Sequence, residues 1–436
     1  MLATAFLWTA CDTDVEHNIA QVDAPVLVTA APADGSEVKN GNVTVTVEYD
    51  KNIYFASEDA NLIEISGDGS IVSADVIGIS PTLTIVANCP SRGTAYTLTI
   101  PEGVVTGPNQ MPAPSVSVTL NTADMDTTPV NTLTAEAQQV YDFLVENYET
   151  RTLSATMANV AWNTDEAEQV YQWTGEYPAM NCFDYMHLPS SPSSWIDYSD
   201  ITPVKDWWDN GGIVLAMWHW NVPVTEGDTD EYAFNIDRTA FNIDNAFIEG
   251  TWEYNTVQAD LEKVTGYLKL LHDANIPVIW RPLHEASGGW FWWGKNADSF
   301  KKLWIQMFDY FKAQGLNNLI WVWTSETGDA DWYPGDAYVD IIGRDLYGND
   351  AADCGTQYQT LVNDFGNKMI TLSECGYSEY TDSTVGLLSE QWNAGARWSW
   401  FMPWYDADGS TTPHADQAWW EDAMSQDYVI KRGEFK

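Results

Sequence analysis

Residues 276–285 have the sequence Ile-Pro-Val-Ile-Trp-Arg-Pro-Leu-His-Glu, an apolar run that ends in a carboxylate at Glu285. A short apolar run of this kind is typical of a strand buried on both faces, as strands of parallel sheets are. The run Met369–Glu374 ends in the same way, at Glu374. The sequence therefore predicts two buried parallel strands, each with a carboxylate at its C-terminal end.

Six further apolar runs alternate with helical segments along the chain from residue 133. Helical spacing of apolar residues predicts amphipathic helices at 135–148, 255–274 and 297–314. The alternation predicts a (β/α)8 TIM barrel over 126–436, with functional side chains at the C-terminal ends of the strands. An open doubly wound sheet competes with it, but no Gly-x-Gly-x-x-Gly motif follows the first strand. The eight runs lie near 152–158, 179–186, 212–221, 276–285, 318–325, 339–347, 369–374 and 396–402.

The segment before the barrel has a different composition. Its runs, such as Val43–Tyr49 and Ala95–Ile100, alternate β-branched and polar residues and are separated by Gly, Pro, Asn and Asp turns. Tryptophan usage marks a boundary, because only Trp8 of the 23 tryptophans precedes Trp162. Residues 25–125 are therefore predicted to form a small immunoglobulin-like β-sandwich, which makes the chain multidomain.

The first 24 residues are interpreted as a lipoprotein signal remnant and a linker. Small residues precede Cys11 in a short apolar run, as in a bacterial lipoprotein signal, although the basic residues that open such signals are missing. A lipid anchor at Cys11 would place the protein outside the cell or at its surface, on the outer membrane. A disordered N-terminus with a chance cysteine is the alternative. No later stretch of about 20 apolar residues is present to span a bilayer.

The charge of the chain excludes several classes of partner. Its 19 Lys and Arg stand against 63 Asp and Glu, a net charge of −44, which repels nucleic acid and anionic lipid head groups. Polyanionic substrates are disfavoured for the same reason, and neutral polysaccharides are the expected partners. The five cysteines have no Cys-x-x-Cys spacing, so neither a disulfide framework nor a zinc site is predicted. The protein is expected to be a monomer.

Residues near the two glutamates favour glycosidic bond cleavage. A retaining glycosidase uses one carboxyl group as acid and another as nucleophile, about 5 to 5.5 Å apart. Arg281 shares the strand face of Glu285 by the period of two, and would keep the nucleophile ionised. His284 falls on the opposite face and reaches the substrate only if the strand end is bulged. Tyr347, ending the sixth strand, would donate its hydroxyl to Glu374.

Three motifs together resemble glycoside hydrolase family 26. They are Trp280-Arg-Pro-Leu-His-Glu-Ala-Ser-Gly-Gly-Trp-Phe-Trp-Trp-Gly, Trp218-His-Trp-Asn-Val-Pro and Thr371-Leu-Ser-Glu-Cys-Gly. The resemblance implies a barrel with catalytic glutamates on the fourth and seventh strands, acting with retention, mostly as endo-β-1,4-mannanases. By motif, Glu285 takes the acid/base role and Glu374 the nucleophile role.

The resemblance also implies residues that hold the sugar. His219 matches a histidine that contacts sugar hydroxyls, Trp290 matches the aromatic residue five positions after the acid, and Tyr347 matches the partner of the nucleophile. Trp398 and Trp400, on the eighth strand, are expected to form the floor under the cleaved sugar. No cofactor or metal is needed for this chemistry.

Two other functions stay open on sequence alone. The same family includes β-1,3/1,4-glucanases and β-1,3-xylanases, and the sequence does not reveal the contacts that recognise the axial 2-hydroxyl of mannose. A non-catalytic glycan-binding protein of the cell surface is the alternative of another class. The presence of both glutamates argues against it.

Overall fold

The chain forms two compact units in a computed structural model, which describes residues 23–159, 162–192, 195–406 and 410–436. The first unit comprises 23–38 and 42–123, and the second comprises 39–41 and the described residues from 124 onward. The segment interpreted as a lipoprotein signal, with Cys11, lies outside the described residues. Among the helices of the described ranges, none combines the length and apolar character that a bilayer crossing requires.

The first unit consists of two four-stranded sheets that share an apolar core. Its strands are β1 (Leu27–Ala31), β2 (Ser36–Val38), β3 (Gly41–Tyr49), β4 (Glu64–Ile65), β5 (Ser70–Asp75), β6 (Thr82–Cys89), β7 (Ala95–Ile100) and β8 (Val116–Thr122). The sheets have the orders β1-β3-β6-β5 and β2-β8-β7-β4. Alternate residues of β3 are buried, so this strand has one apolar face that the other sheet covers. The unit is thus all-β, and its immunoglobulin-like class stays a prediction.

The second unit contains a closed parallel barrel. Its strands are β9 (Thr152–Met157), β10 (Met180–Asp184), β11 (Ile213–Trp218), β12 (Val222–Pro223), β13 (Tyr232–Ala233), β14 (Val278–Pro282), β15 (Leu319–Ser325), β16 (Ile341–Tyr347), β17 (Met369–Gly376), β18 (Trp400–Pro403) and β19 (Val429–Ile430). Apart from the two-residue strands β12, β13 and β19, each strand pairs in parallel with the next, and β18 closes onto β9. All eight predicted barrel strands are present.

Helices surround the barrel, which completes the predicted (β/α)8 TIM barrel. Side-chain caps explain where two of the long ones begin: Thr251 accepts a hydrogen bond from the backbone of Tyr254, and Asn296 from that of Ser299. The helices are α1 (Ala135–Asn147), α2 (Asp165–Thr174), α3 (Thr202–Asp209), α4 (Trp252–Asp273), α5 (Ala297–Ala313), α6 (Ala351–Phe365), α7 (Leu388–Asn393) and α8 (Gln417–Met424).

The connection after β15 departs from the predicted strict alternation. Residues 326–340 contain two short 3-10 turns and no α-helix, because Gly328 and Gly335 adopt left-handed backbone angles that interrupt helical geometry. Helix α1, which precedes the first barrel strand, contacts β15 instead. The backbone N–H of Thr134, the cap of α1, donates to the carbonyl of Asn317 at 2.9 Å. The wall beside β15 is thus covered by a helix from elsewhere in the chain.

Candidate active site

The fourth barrel strand ends before its glutamate. β14 stops at Pro282, and both Leu283 and Glu285 have a φ of 51°, in the left-handed region that non-glycine residues adopt only at a cost. Strict alternation would direct His284 away from the cleft, but this turn places its Nε2 3.1 Å from Nε2 of His219. The left-handed backbone therefore directs the His284 side chain toward His219, so that His284 and Glu285 both belong to the site at this end of the barrel.

Glu374 lies inside β17 and is held by a buried cation. Nη1 of Arg281 lies 2.5 Å from Oε1 of Glu374, and Nη2 of the same side chain pairs with Asp345. Nε of Arg281 donates to the hydroxyl of Thr324 at 2.9 Å. A fully buried guanidinium with these partners fixes the orientation of the Glu374 carboxylate.

The second oxygen of Glu374 has its own donor. The hydroxyl of Tyr347 donates to Oε2 of Glu374 at 2.7 Å. Burial and the nearby charge of Glu374 hold the pKa of the Tyr347 hydroxyl well above its usual value, so the group remains a donor. With Arg281 on one oxygen and Tyr347 on the other, the carboxylate has little rotational freedom.

Glu285 lies close to two other carboxylates. One carboxylate oxygen each from Glu285, Asp345 and Glu374 falls within 4.8 Å of the other two. Burial, and then the charges of Asp345 and Glu374, raise the pKa of Glu285 well above its usual value. Its Oε2 also accepts a hydrogen bond from Nε1 of Trp290 at 3.0 Å. Glu285 is therefore placed to keep a proton beside an ionised neighbour.

Three clustered carboxylates also resemble a cation site, but the hydrogen-bond and ion-pair partners of these groups argue against a bound metal ion. Arg281 already pairs with Asp345 and Glu374, and Tyr347 donates to the remaining oxygen of Glu374. A divalent cation would have to displace the guanidinium from both acids. The three carboxyl groups thus fit an arrangement in which Arg281 pairs with Asp345 and Glu374 better than they fit a metal site.

His219 is fixed by an aspartate that the sequence analysis did not single out. Asp184, fully buried at the end of β10, lies with Oδ2 2.5 Å from Nδ1 of His219 and accepts the backbone N–H of His219 at 3.0 Å. Burial and the neighbouring His219 hold the pKa of His284 well below its usual value, so His284 is neutral. The polar end of the apolar run 179–186 was the available signal for Asp184.

Glu326 is a further acidic residue of the site that the sequence analysis missed. It follows β15 directly, so it lies between the strands that carry Glu285 and Asp345. Its Oε1 is buried and accepts no hydrogen bond from the described residues. Burial and the charge of Asp345 raise the pKa of Glu326 to about 8, so this carboxyl group is largely neutral at pH 7. Its position one residue past the run 318–325 was the available signal.

The prediction for Trp398 and Trp400 is wrong. They are 1% and 0% exposed, and Trp398 packs against Tyr358 while its Nε1 donates to Gln391, so neither ring offers a face to a sugar. The strand β18 ends at Pro403, one residue later than predicted. The next residue, Trp404, is half-buried with its ring centroid 5.8 Å from that of His219. Trp404 is therefore the aromatic residue of this strand end that borders the cleft.

Comparisons with known proteins assign the barrel unit to one family. The model of glycosyl hydrolase family 26 matches residues 130–434. Mannan endo-1,4-beta-mannosidase B of Piromyces sp. is 38% identical over 278 residues, which cover 62% of this chain and 46% of that protein. Mannan endo-1,4-beta-mannosidase of Thermothelomyces thermophilus is 35% identical over 312 residues, which cover 69% of this chain and 62% of that protein. The chain thus spans about half of the length of these relatives.

Two solved structures support the same grouping. The GH26 domain of an endo-beta-mannanase/endo-beta-glucanase from Prevotella bryantii aligns with a TM-score of 0.67 at 40% identity, covering 71% of this chain and 99% of that domain. The β-mannanase from a symbiotic protist of the termite Reticulitermes speratus aligns with a TM-score of 0.63 at 35% identity, covering 72% and 98%. The likeness is therefore to whole catalytic domains.

Proposed function

Because the chain belongs to glycosyl hydrolase family 26, we propose that it is a retaining endo-β-1,4-mannanase that acts by double displacement. The observation that carries the proposal is the separation of at most 4.8 Å between carboxylate oxygens of Glu285 and Glu374. Retaining enzymes place the two carboxyl groups about 5 to 5.5 Å apart, and inverting enzymes about 6.5 to 9.5 Å. The separation leaves no room for the water that an inverting enzyme holds between acid and base.

In the first step Glu374 attacks the anomeric carbon. A bond forms between a carboxylate oxygen of Glu374 and that carbon as the glycosidic bond breaks, and Glu285 gives its proton to the departing oxygen. Arg281 and Tyr347 hold Glu374 in the orientation for attack. The products of this step are a covalent glycosyl-enzyme and a shortened chain with a new non-reducing end.

In the second step water replaces the enzyme on the sugar. Glu285, now ionised, takes a proton from the water, whose oxygen bonds to the anomeric carbon while Glu374 leaves as a carboxylate. The charge of Glu374 is absent from the covalent intermediate, so the proton affinity of Glu285 falls at the moment when it must act as a base. Two inversions give net retention, and both glutamates return to their starting states.

The substrate proposal is supported by the named relatives and by the chemistry of the cleft. Relatives at 35–38% identity are named mannan endo-1,4-beta-mannosidase. The half-buried ring of Trp404 and the polar edge of His219 lie together, as a sugar with one apolar face and a hydroxyl edge requires. The net charge of −44 disfavours anionic chains. Neutral mannan and glucomannan fit these features.

Hydrolysis of a panel of polysaccharides tests the proposal. The full chain is expected to release reducing ends from mannan and glucomannan as a ladder of oligosaccharides, far faster than from β-1,3/1,4-glucan or β-1,3-xylan. Nuclear magnetic resonance of the first product should show the β-anomer, since the reaction retains configuration. Activity confined to glucan or xylan would change the substrate. Release from none of them would favour a glycan-binding protein.

The pH profile should have an alkaline limb set by Glu285. The group must be protonated in the first step and its pKa is raised, so kcat/KM is high below that raised pKa and falls as pH increases through it. We expect this limb well above the usual pKa range of a glutamate. Initial rates on mannan at constant ionic strength measure it. A limb within the ordinary glutamate range would contradict the protonated state assigned to Glu285.

A cell-surface location also stays part of the proposal. A lipid at Cys11 would anchor the protein on the outer membrane. Support comes from the small residues ahead of Cys11. Metabolic labelling with a radioactive fatty acid tests it, with Cys11→Ala as the variant that should lose the label.

A further inference from the structure

Acidic residues lie side by side at the C-terminal ends of three consecutive strands, β15 to β17. Asp345 of β16 pairs in register with Glu374 of β17. Ser325, the last residue of β15, pairs with Arg344, so Glu326 is the register neighbour of Asp345 on its other side. Adjacent strands lie about 4.8 Å apart. Glu326, Asp345 and Glu374 therefore form a row along the mouth of the barrel.

The acid/base Glu285 extends this row by one strand. Trp280 of β14 pairs with Trp321 of β15, and Glu285 and Glu326 each follow that pair by five residues. A carboxylate oxygen of Glu285 lies within 4.8 Å of an oxygen of Asp345, and β15, which leads into Glu326, lies between the strands of these two residues. Glu326 is thus a neighbour of the acid/base residue within the row.

The row holds more carboxyl groups than cations. Arg281 pairs with both Asp345 and Glu374. Neither Glu285 nor Glu326 forms an ion pair with any of the described residues. Burial of a carboxyl group without a cation partner favours its neutral form. The two carboxyl groups whose charge no cation offsets are therefore next to each other, at Glu285 and Glu326.

Charged and titratable groups face this pair from four elements: Arg281 of β14, Asp329 of the connection after β15, Arg344, Asp345 and Tyr347 of β16, and Glu374 of β17. Asp329 accepts the backbone N–H of Glu326 at 2.6 Å and so fixes its position. Arg344 directs Nη1 to the hydroxyl of Thr327 at 3.1 Å, and Oε1 of Glu326 accepts no hydrogen bond from the described residues. Burial, and then the charge of Asp345, raise the pKa of Glu326 to about 8. Glu326 can therefore gain its charge within the alkaline range of the pH profile.

We propose that Glu326 is a positioning residue for the proton of Glu285: the two carboxyl groups titrate as a pair, and a charge on Glu326 keeps the acid/base residue protonated at alkaline pH. The inference rests on the proposed function. When Glu326 loses its proton, a negative charge appears beside Glu285 and raises the pKa of that carboxyl group. The alkaline limb of kcat/KM therefore lies at a higher pH than Glu285 would give without this neighbour.

The pH profile of Glu326→Gln tests the proposal. Glutamine has nearly the shape of a protonated glutamate but cannot ionise. The alkaline limb of kcat/KM on mannan is expected to move to lower pH by about one unit, the size of coupling at which two carboxyl groups titrate together. Glu326→Asp keeps a carboxyl group, and its limb should lie between those of the wild type and the glutamine variant. A dinitrophenyl β-mannoside departs without a proton, so its kcat/KM should not show the shift.

An exposed acidic residue of the same connection supplies the matched control. Asp331 lies in the short 3-10 turn that follows Asp329, so Asp331→Asn removes one negative charge outside the row and should leave the limb in place. A limb that stays in place in Glu326→Gln or moves to higher pH, or an equal loss of kcat/KM at every pH, overturns the positioning role while leaving the proposed function intact. If the glutamine variant does not fold, Glu326→Leu, which is also uncharged, gives the same test. Failure of the wild-type protein to cleave any neutral polysaccharide overturns both.

Discussion

Replacing Glu374 with alanine is expected to lower kcat on mannan by on the order of 10⁴-fold or more, because the variant lacks the atom that attacks the anomeric carbon in the proposed mechanism. Binding should persist, since the rings of Trp290 and Trp404 and the side chain of His219 are unchanged. Initial rates of reducing-end release measure the first expectation. Retardation of the variant in a native gel that contains mannan measures the second.

An acidic residue on the outside of the barrel provides the control. Glu390 is exposed on α7, the helix that follows the strand of Glu374, and Glu390→Ala should keep wild-type kcat. Near wild-type activity in Glu374→Ala would remove this residue from the mechanism. If the alanine variant unfolds because Arg281 has lost a partner, Glu374→Gln retains a hydrogen-bonding group of the same shape, and its rate decides the question.

The barrel was predictable because its strands are buried on both faces. Such strands need apolar residues at nearly every position, and the runs 212–221 and 369–374 show that pattern without any help from tertiary structure. The sequence predicts an α-helix after β15, and the absence of that helix could not be predicted from local patterns. Its place is taken by α1, which is far away in sequence. Local patterns contain no information on such a replacement.

The site was predictable where it follows strand geometry. Alternation placed Arg281 on the cleft side of β14, and strand order placed Tyr347 beside Glu374; both contacts are present. The direction of the His284 side chain depends on the left-handed backbone at Leu283 and Glu285. Neither residue is a glycine, so the sequence does not predict this backbone conformation.

Other residues of the site depend on their neighbours in space or on a strand boundary. Asp184 and Asp345 take their roles from His219, which follows β11, and from Arg281 on β14, and the only mark in their own sequence context is a polar residue within an apolar run. The eighth strand shows how a small boundary error matters. The strand ends at Pro403, one residue later than predicted, and the aromatic residue that borders the cleft is Trp404 instead of Trp398 or Trp400.

Replacing Glu285 with alanine is expected to slow mannan hydrolysis by about 10²- to 10⁴-fold, the usual contribution of a general acid. The loss should depend on the leaving group. A dinitrophenyl β-mannoside departs without a proton, so its first step should stay fast in Glu285→Ala while the second step, which needs a base, becomes limiting. A burst of dinitrophenol followed by a slow steady state is the expected signal in stopped flow. The alkaline limb of the pH profile, which reports loss of the Glu285 proton, should also be absent from the first step with this substrate.

Azide separates the roles of the two glutamates by the configuration of its product. In Glu285→Ala azide needs no base, enters the space left by the carboxyl group and attacks the glycosyl-enzyme, so a β-mannosyl azide should form and the rate should recover. In Glu374→Ala the covalent intermediate cannot form, and azide attacks the substrate directly from the opposite face to give the α-azide. Reversed configurations would exchange the assignments, and rescue of neither variant would mean that the two carboxyl groups do not act on a common anomeric carbon.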